Sequence, residues 1–163
     1  MKSGTISQVK TAQLKEDNFA RTLLEAFKNK NLDAWIALFP NNDEYKGILQ
    51  AGLAAKAEGL TQQIIDDIIV RRKKEAAAEY AKRFNNYCAL ADSVGISWKD
   101  VVLEKFDFAD VYPEPVKLKY LDGAIWFKCK KKHFVLDGIQ AVEIASGYKL
   151  QALAEFRQVG DGE

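Results

Sequence analysis

Apolar residues recur along this chain with two different periods, and the change of period predicts its architecture. From about Lys15 to Asp92 they return every three or four residues, as Phe19, Leu23 and Phe27 do, which is the spacing of amphipathic helices. From Leu103 to Gln158 apolar and polar residues mostly alternate, which is the pattern of strands with one buried face. We therefore predict an α+β fold, in which N-terminal amphipathic helices pack on a bent, cone-like antiparallel sheet of four to five strands.

Helix-breaking and helix-capping residues divide the N-terminal part into segments. Pro40 stops a short second helix, and Asn41 with Glu44 three residues later is typical of a capping box that begins a third. The longest helical segment runs from Gln62 to about Asp92. Within it, the run from Arg71 to Glu75 interrupts the apolar stripe, which indicates either a break into two helices or a solvated middle, and we prefer a solvated face.

Glycines and lysines predict the turns of the sheet. Asp122-Gly123 stands between two alternating runs, Val116 to Tyr120 and Ala124 to Lys130, and is a strong hairpin signal. Gly138 sits where a long strand would need a bulge or bend. The other predicted boundaries are a first strand from Leu103 to Val111, a reversal at Lys130 to Lys132, a turn at Ser146-Gly147 and a last strand from Tyr148 to Arg157.

The size and charge of the chain limit its function. Its 163 residues fit one domain, and we predict a flexible segment over residues 1–15, a single α+β domain over 16–158 and a tail over 159–163. The 24 basic and 23 acidic residues nearly balance, which argues against a nucleic-acid partner.

No apolar run reaches the length of about 18 residues that a membrane span needs, so we expect no transmembrane segment. The polar N-terminus leaves two locations open, the cytoplasm or, for a mature form without its leader, an exported compartment.

The two cysteines, Cys88 and Cys129, have no metal-ligand spacing. We interpret them as small buried thiols, and a single long-range disulfide between them stays open. The sequence shows no catalytic triad, metal-ligand cluster or phosphate-binding loop. We therefore predict no catalytic residues, no metal site and no cofactor.

Seven aromatic or titratable residues are candidates for contacting a ligand. Trp35 and Phe39 could line a pocket, although their place on a regular apolar stripe is more typical of a core. His133, the sole histidine, could act as a general base with Asp137 on the same strand face, but a surface position in a basic turn is the preferred interpretation. The remaining candidates could stack against a ligand and are Tyr120, Trp126 and Tyr148.

Lysines near these aromatic residues suggest a basic sheet face. Basic groups interleaved with stacking rings are what a single-stranded nucleic acid needs. Against this interpretation, lysines are common on exposed sheet faces, where they discourage edge-to-edge pairing. We therefore prefer solvated cover of the sheet over a nucleic-acid site. The lysines concerned are Lys117, Lys119, Lys128, Lys130, Lys131 and Lys132.

Several short motifs follow one another in a definite order, with helices first, then Gly123-Ala-Ile-Trp-Phe, a basic turn, a bend at Gly138 and the closing run Ser146-Gly-Tyr-Lys-Leu-Gln-Ala-Leu. In this order the chain resembles the nuclear-transport-factor-2-like superfamily, which includes the SnoaL-like cyclases, and small exported bacterial proteins of unassigned function look similar. The resemblance covers about residues 15–158 and implies a cone-shaped pocket. Enzyme members place an acid or histidine base inside the cone opposite a tyrosine or second acid, and no residue here matches those roles. A long helical insertion from Ile48 to Ala91 is a second departure from the family pattern.

Three functions are compatible with these observations. The first is a non-enzymatic small-molecule-binding or accessory module, with an apolar small molecule as its ligand. The alternative is a small-molecule isomerase, cyclase or dehydratase of the SnoaL-like kind, which needs a buried titratable group with a shifted pKa. A further alternative is a self-associating protein that forms a homodimer through the sheet face.

Overall fold

The fold consists of helices followed by an antiparallel sheet, which confirms the α+β prediction. The computed structural model describes residues 3–153 and 155–160, and for residues 3–12 and 155 it describes the backbone alone. In this part of the chain the helices are α1 (Ser3–Lys28), α2 (Leu32–Ala37), α3 (Asn42–Ala54) and α4 (Gln62–Ser93), followed by a short 3₁₀-helix (Trp98–Asp100). The strands are β1 (Val101–Val111), β2 (Tyr120–Cys129), β3 (Lys132–Ile144), β4 (Gly147–Ala152) and β5 (Glu155–Val159).

The five strands of the described chain pair in an open antiparallel sheet that does not close into a barrel. Their order is β1-β2-β3-β4, and β5 also pairs with β3. Residues 140–144 of β3 pair with β4, and residues 133–137 of β3 pair with β5. The two short strands therefore continue each other along a single long neighbour.

Strand β3 bends at Gly138, as predicted. The glycine has a φ of +65°, in the left-handed region that glycine adopts at little cost. The bend falls where β3 changes its pairing partner, between Asp137 and Gln140. The prediction of one continuous last strand from Tyr148 to Arg157 is therefore wrong, because this part of the chain pairs with β3 as two strands, β4 before the bend and β5 after it.

Gly123 lies within β2 and not in a turn. Residues 112–119 form the connection from β1, so the predicted hairpin at Asp122-Gly123, with a strand from Val116 to Tyr120 before it, is wrong. Gly123 is opposite Phe108 on β1, and a Cβ atom added to Gly123 would lie 2.0 Å from the carbonyl oxygen of Asp107. The glycine is thus required by the close approach of two strands.

Local capping and turn signals are confirmed elsewhere in the chain. The Asn41 side chain accepts a hydrogen bond from the Glu44 amide at 2.8 Å, and its own amide donates to the Glu44 carboxylate at 3.1 Å. A turn at Lys130-Lys131 joins β2 to β3. The run from Arg71 to Glu75 is helical, so α4 is unbroken and this stretch is mostly exposed.

Helix α1 begins at Ser3, which is earlier than the apolar pattern indicates. Residues 9–16 contain alanine, glutamine, leucine, lysine and glutamate, which favour helix by their intrinsic propensity even without an apolar stripe. The prediction that residues 1–15 are flexible concerns motion and stays a prediction. Residues 1–2, and residues 161–163 of the predicted tail, lie outside the described residues.

An aromatic cluster joins the helices to the sheet. Phe27 of α1 is fully buried at its centre, and its ring centroid lies 5.1–6.0 Å from those of the rings around it. These rings come from α2, α4, the 3₁₀-helix and β5, and they are Trp35, Phe84, Tyr87, Trp98 and Phe156. The helix-facing side of the sheet is thus filled with packed side chains.

Replacing Phe27 with alanine removes the central ring of this cluster. We expect the free energy of unfolding to fall by about 3–5 kcal/mol, because a buried phenylalanine that becomes alanine leaves a cavity. Urea denaturation measures the loss. The control Tyr112→Ala removes a ring that is 62% exposed, and its effect should stay within about 0.5 kcal/mol. Equal small losses in the two variants would contradict the central position of Phe27.

Two glycine substitutions of the same size should change stability in opposite directions. Gly123→Ala forces a methyl group against the backbone of Asp107, so we expect a destabilisation of roughly 1–3 kcal/mol or more. Gly47→Ala places the same group on α3 with no atom within 4 Å, and the higher helix propensity of alanine should stabilise the protein by up to about 1 kcal/mol. Thermal and urea unfolding of both variants test this, and a stable Gly123→Ala protein would show that the strands can separate locally.

Candidate functional site

A groove lies along α4, between residues 71 and 83 of the helix and the chain that faces it, and we call it the α4 groove. Its volume of about 730 Å³ is in the range of small-molecule sites, about 300–1,000 Å³. At about 1.5 Å per residue, this stretch of helix is roughly 18 Å long. The facing side is formed by the chain after α2, by α3 and by β4, through Phe39, Pro40, Tyr45, Leu150 and Gln151.

The floor of the α4 groove is aromatic and is held by hydrogen bonds. The Phe39 ring stacks on the Tyr80 ring with 4.1 Å between their centroids. The indole Nε1 of Trp35 donates to the Tyr80 carbonyl at 3.0 Å, and the Leu150 amide donates to the Leu38 carbonyl at 2.6 Å. These bonds connect the end of α2 to both α4 and β4, so the fold itself fixes the shape of the groove.

Arg72 is a partly buried cation in the wall of the α4 groove. Its Nη1 donates to the Tyr80 hydroxyl at 3.0 Å, and its Nη2 donates to the Pro40 carbonyl at 2.9 Å. The guanidinium also lies over the Tyr45 ring, 3.9 Å from its centroid. Among the residues that the structure describes, no carboxylate lies within 4.0 Å of this guanidinium, and its buried Nε has no acceptor. Neutral groups alone therefore hold the positive charge.

The rim of the α4 groove is predominantly basic. The charged side chains that line it in the described part of the chain are Arg71, Arg72, Lys74, Lys82 and Arg83, against Glu75 and Glu79. Arg83 and Glu79 pair with each other at 3.2 Å on the helix surface. The remaining charges leave an excess of positive potential toward an approaching molecule.

A second, smaller groove of about 430 Å³ shares Arg72, Ala76 and Tyr80 with the α4 groove and includes Lys149. Here the Lys149 ammonium lies 3.6 Å from the Glu44 carboxylate and donates to the Ala37 carbonyl at 2.9 Å. The charge of Lys149 is thus compensated within the chain. In the described part of the chain, four basic side chains of the α4 groove have no ion pair, Arg71, Arg72, Lys74 and Lys82, against two in the second groove, Arg72 and Lys73.

The predicted site residues do not gather in one place. Phe39 lines the α4 groove. Trp35 is fully buried in the aromatic cluster, in line with the core interpretation of its stripe. Tyr120 is partly buried, and burial, together with the Tyr45 phenol, raises the pKa of its hydroxyl.

Trp126, His133 and Asp137 lie on the sheet face opposite the aromatic cluster. Each contacts a charged side chain of another strand. Trp126 contacts Lys105 of β1, His133 contacts Glu104 of β1 across β2, and Asp137 contacts Arg157 of β5. The His133 Nδ1 lies 3.0 Å from the Glu104 carboxylate, and the Arg157 guanidinium donates to the Asp137 carboxylate at 3.3 Å. The acid beside His133 is therefore Glu104, and Asp137 pairs with Arg157 instead.

Tyr148 belongs to an ionic cluster centred on Lys119. The Lys119 ammonium donates to the Tyr148 hydroxyl at 2.9 Å and lies 3.4 Å from Asp110 and 3.5 Å from Glu143. Burial acts to lower the pKa of Lys119, but the hydrogen bond to Tyr148 and the Asp110 carboxylate raise it above its usual range. Burial raises the pKa of Tyr148, and Lys119 opposes this. Lys119 is therefore engaged in this cluster and is not part of a basic sheet face with Lys128.

Cys88 and Cys129 are both free, so they do not form a disulfide, and burial raises the pKa of the Cys88 thiol.

Within residues 3–153 and 155–160, no group of three histidine, cysteine or acidic side chains could hold a metal ion. No helix in the same ranges combines the length and the apolar character that a membrane crossing requires.

The sequence pattern did not identify Tyr45, Arg72 and Tyr80 as groove residues. The two tyrosines fit the apolar stripes, and Arg72 fits a solvated run of charges. The helical spacing did contain a signal for the position of Arg72. This residue precedes Ala76, Tyr80 and Phe84 at successive intervals of four residues. That spacing places one cation of the run on the inward stripe of α4.

Glu16 on α1 should make the stability of the protein depend on pH. Burial raises the pKa of its carboxyl, Asp110 raises it further, and Lys119 opposes them. A group whose pKa is raised by folding contributes stability that is complete below its unfolded pKa, about 4.3 for Glu, and is lost as the pH rises through the folded value. We therefore expect Glu16→Gln to raise the urea midpoint at neutral pH and to lose this advantage below about pH 4.

The matched control for this measurement is Glu58→Gln, which removes the charge of an exposed glutamate in the connection between α3 and α4. Its urea midpoint should follow that of the unchanged protein at every pH. A Glu16→Gln protein that is less stable than the unchanged protein at neutral pH would contradict the sign of the effect.

Comparison with known proteins assigns neither a family nor an activity. No family model, no curated protein and no solved structure matches this chain. The resemblance to the nuclear-transport-factor-2-like superfamily therefore stays a prediction, and the geometry of the α4 groove defines the candidate site.

Proposed function

We propose that this protein is a non-enzymatic binding module that holds a small molecule in the α4 groove. One observation carries the proposal: a groove of about 730 Å³ combines an aromatic floor with Arg72, which has no carboxylate partner among the described residues. Small-molecule sites typically have apolar and aromatic walls and a small number of placed polar groups. The α4 groove has this composition.

The rigidity of the groove also supports a binding role. The side chain and backbone of Tyr80 both accept hydrogen bonds, from Arg72 and Trp35 respectively. The Pro40 carbonyl accepts a further bond from Arg72. Because these groups are ordered by the fold, a ligand would not have to order them on binding, which preserves affinity.

We favour binding over an isomerase, cyclase or dehydratase of the SnoaL-like kind. The resemblance places the chemistry of such enzymes in a cone between the helices and the sheet. In this protein Phe27, Phe127 and Phe156 pack in that space, with the Phe156 ring 5.4 Å from Phe27 and 6.1 Å from Phe127. Membership of the superfamily is part of the proposal and is supported by the order of helices and strands. Self-association through the sheet face stays a prediction.

A substitution that fills the α4 groove should abolish ligand binding. Ala76 lies in the lining of the groove, so Ala76→Trp puts an indole ring where the ligand would sit. We would screen the unchanged protein against steroids, fatty acids, aromatic acids and nucleotides by thermal shift. A compound at 100 times its Kd contributes about 2.7 kcal/mol, which should raise Tm by roughly 5–11 °C at this chain length.

The matched control is Ala89→Trp, which adds the same ring to an exposed position of the same helix and should keep the full shift. Circular dichroism shows whether both variants fold. A panel without any shift, or a shift that Ala76→Trp retains in full, would contradict the proposed function.

A further inference from the structure

We infer that the ligand of the α4 groove is a small organic anion with an apolar, ring-bearing body, and that its negative charge pairs with Arg72. This inference rests on the proposed function and names the class of ligand. It follows from the hydrogen bonds of Arg72, from the charges of the rim and from the rings of the floor.

Some hydrogen-bond donors of Arg72 have no acceptor in the described part of the chain. A guanidinium has five N–H groups, and Arg72 uses one on each Nη nitrogen, toward the Tyr80 hydroxyl and the Pro40 carbonyl. The Nε–H is buried without an acceptor, which leaves one hydrogen on each Nη for a ligand. Donors on two neighbouring nitrogens of one guanidinium can reach two oxygens of a carboxylate, sulfonate or phosphate group.

The positive charge of Arg72 favours a ligand that carries a negative charge. A cation that leaves water is normally compensated by an opposite charge, because burial of an uncompensated charge is unfavourable. Arg72 has only neutral partners among the described residues. A neutral ligand would remove more water from this cation without compensating it, and a cationic ligand would add repulsion. An anion would supply the missing partner.

The basic rim of the α4 groove also favours a negatively charged ligand. Arg71, Lys74 and Lys82 are exposed, and in the described ranges no carboxylate lies within 4.0 Å of any of them. Exposed charges of one sign attract an oppositely charged molecule over a distance that salt shortens, to about 10 Å at 0.1 M. Binding of the ligand should therefore weaken as salt is added.

The aromatic floor of the α4 groove indicates the chemistry of the uncharged part of the ligand. Phe39, Tyr45 and Tyr80 present rings to the groove, and flat apolar groups pack on such rings in offset or edge-on arrangements. A volume of about 730 Å³ accommodates one small molecule. We therefore assign the groove to a free small molecule and not to a nucleic acid or an acidic peptide.

Two fluorescent probes with the same rings test whether the groove prefers a negatively charged ligand. Anilinonaphthalene sulfonate carries one negative charge, and phenylnaphthylamine is its uncharged parent. We expect the anionic probe to bind the unchanged protein at least tenfold more tightly than the neutral probe, and added salt to weaken only the anionic probe. Arg72→Met should weaken the anionic probe at least tenfold and leave the neutral probe unchanged, whereas Arg21→Met, at an exposed position of α1, should change neither.

A second variant keeps the test decisive, since Arg72 also bonds to Tyr80 and Pro40 and its loss could disturb the fold. Arg72→Lys keeps the charge without the guanidinium donors, so the affinity of this variant for the anionic probe should fall between those of the unchanged protein and Arg72→Met. If both probes bind equally and Ala76→Trp blocks both, the inference is overturned and the proposed function stands. If the anionic probe binds Ala76→Trp as tightly as the unchanged protein, the groove is not its site and the inference fails.

Discussion

The packing of aromatic rings around Phe27 is the interaction on which the rest of the structure depends. The Phe84 and Trp98 rings stack on Phe27 with centroids 5.6 and 5.1 Å away, so one side chain of α1 holds α4 and the 3₁₀-helix together. The Phe156 ring brings the last strand into the same cluster. Aromatic pairs of this geometry contribute beyond the area that they bury, by about 0.5–1.5 kcal/mol each. These rings cover the helix-facing side of the open sheet.

The α4 groove is a consequence of how this cluster places the longest helix. The C-terminal half of α4 carries Phe84 into the cluster, whereas the N-terminal half packs on α3 with Ile65 and Ile69 buried. Between these two contacts the helix passes the end of α2, and the Phe39–Tyr80 stack closes only the bottom of the gap. A long helix anchored at both ends thus leaves a preformed cleft along its middle.

The sequence predicts much of the fold and little of the site. The cap at Asn41, the turn at Lys130 and the bend at Gly138 are confirmed, because each depends on residues within a few positions of one another. The Asp122-Gly123 signal is a local one as well, but the close approach of β1 decides the role of the glycine. Arg72 was assigned to a solvated run because its partners, Pro40 and Tyr45, are distant in sequence.

The sequence by itself determined the class of the fold, the succession of helices before strands and most of their ends, since hydrophobic period and capping chemistry are encoded locally. Only the tertiary structure decided that the last strand divides in two and that Lys119 joins an ionic cluster. It also decided that one arginine of a charged run lies against aromatic rings at a groove. The physical reason is that these features depend on packing between segments that are tens of residues apart, and no local pattern specifies which segments meet.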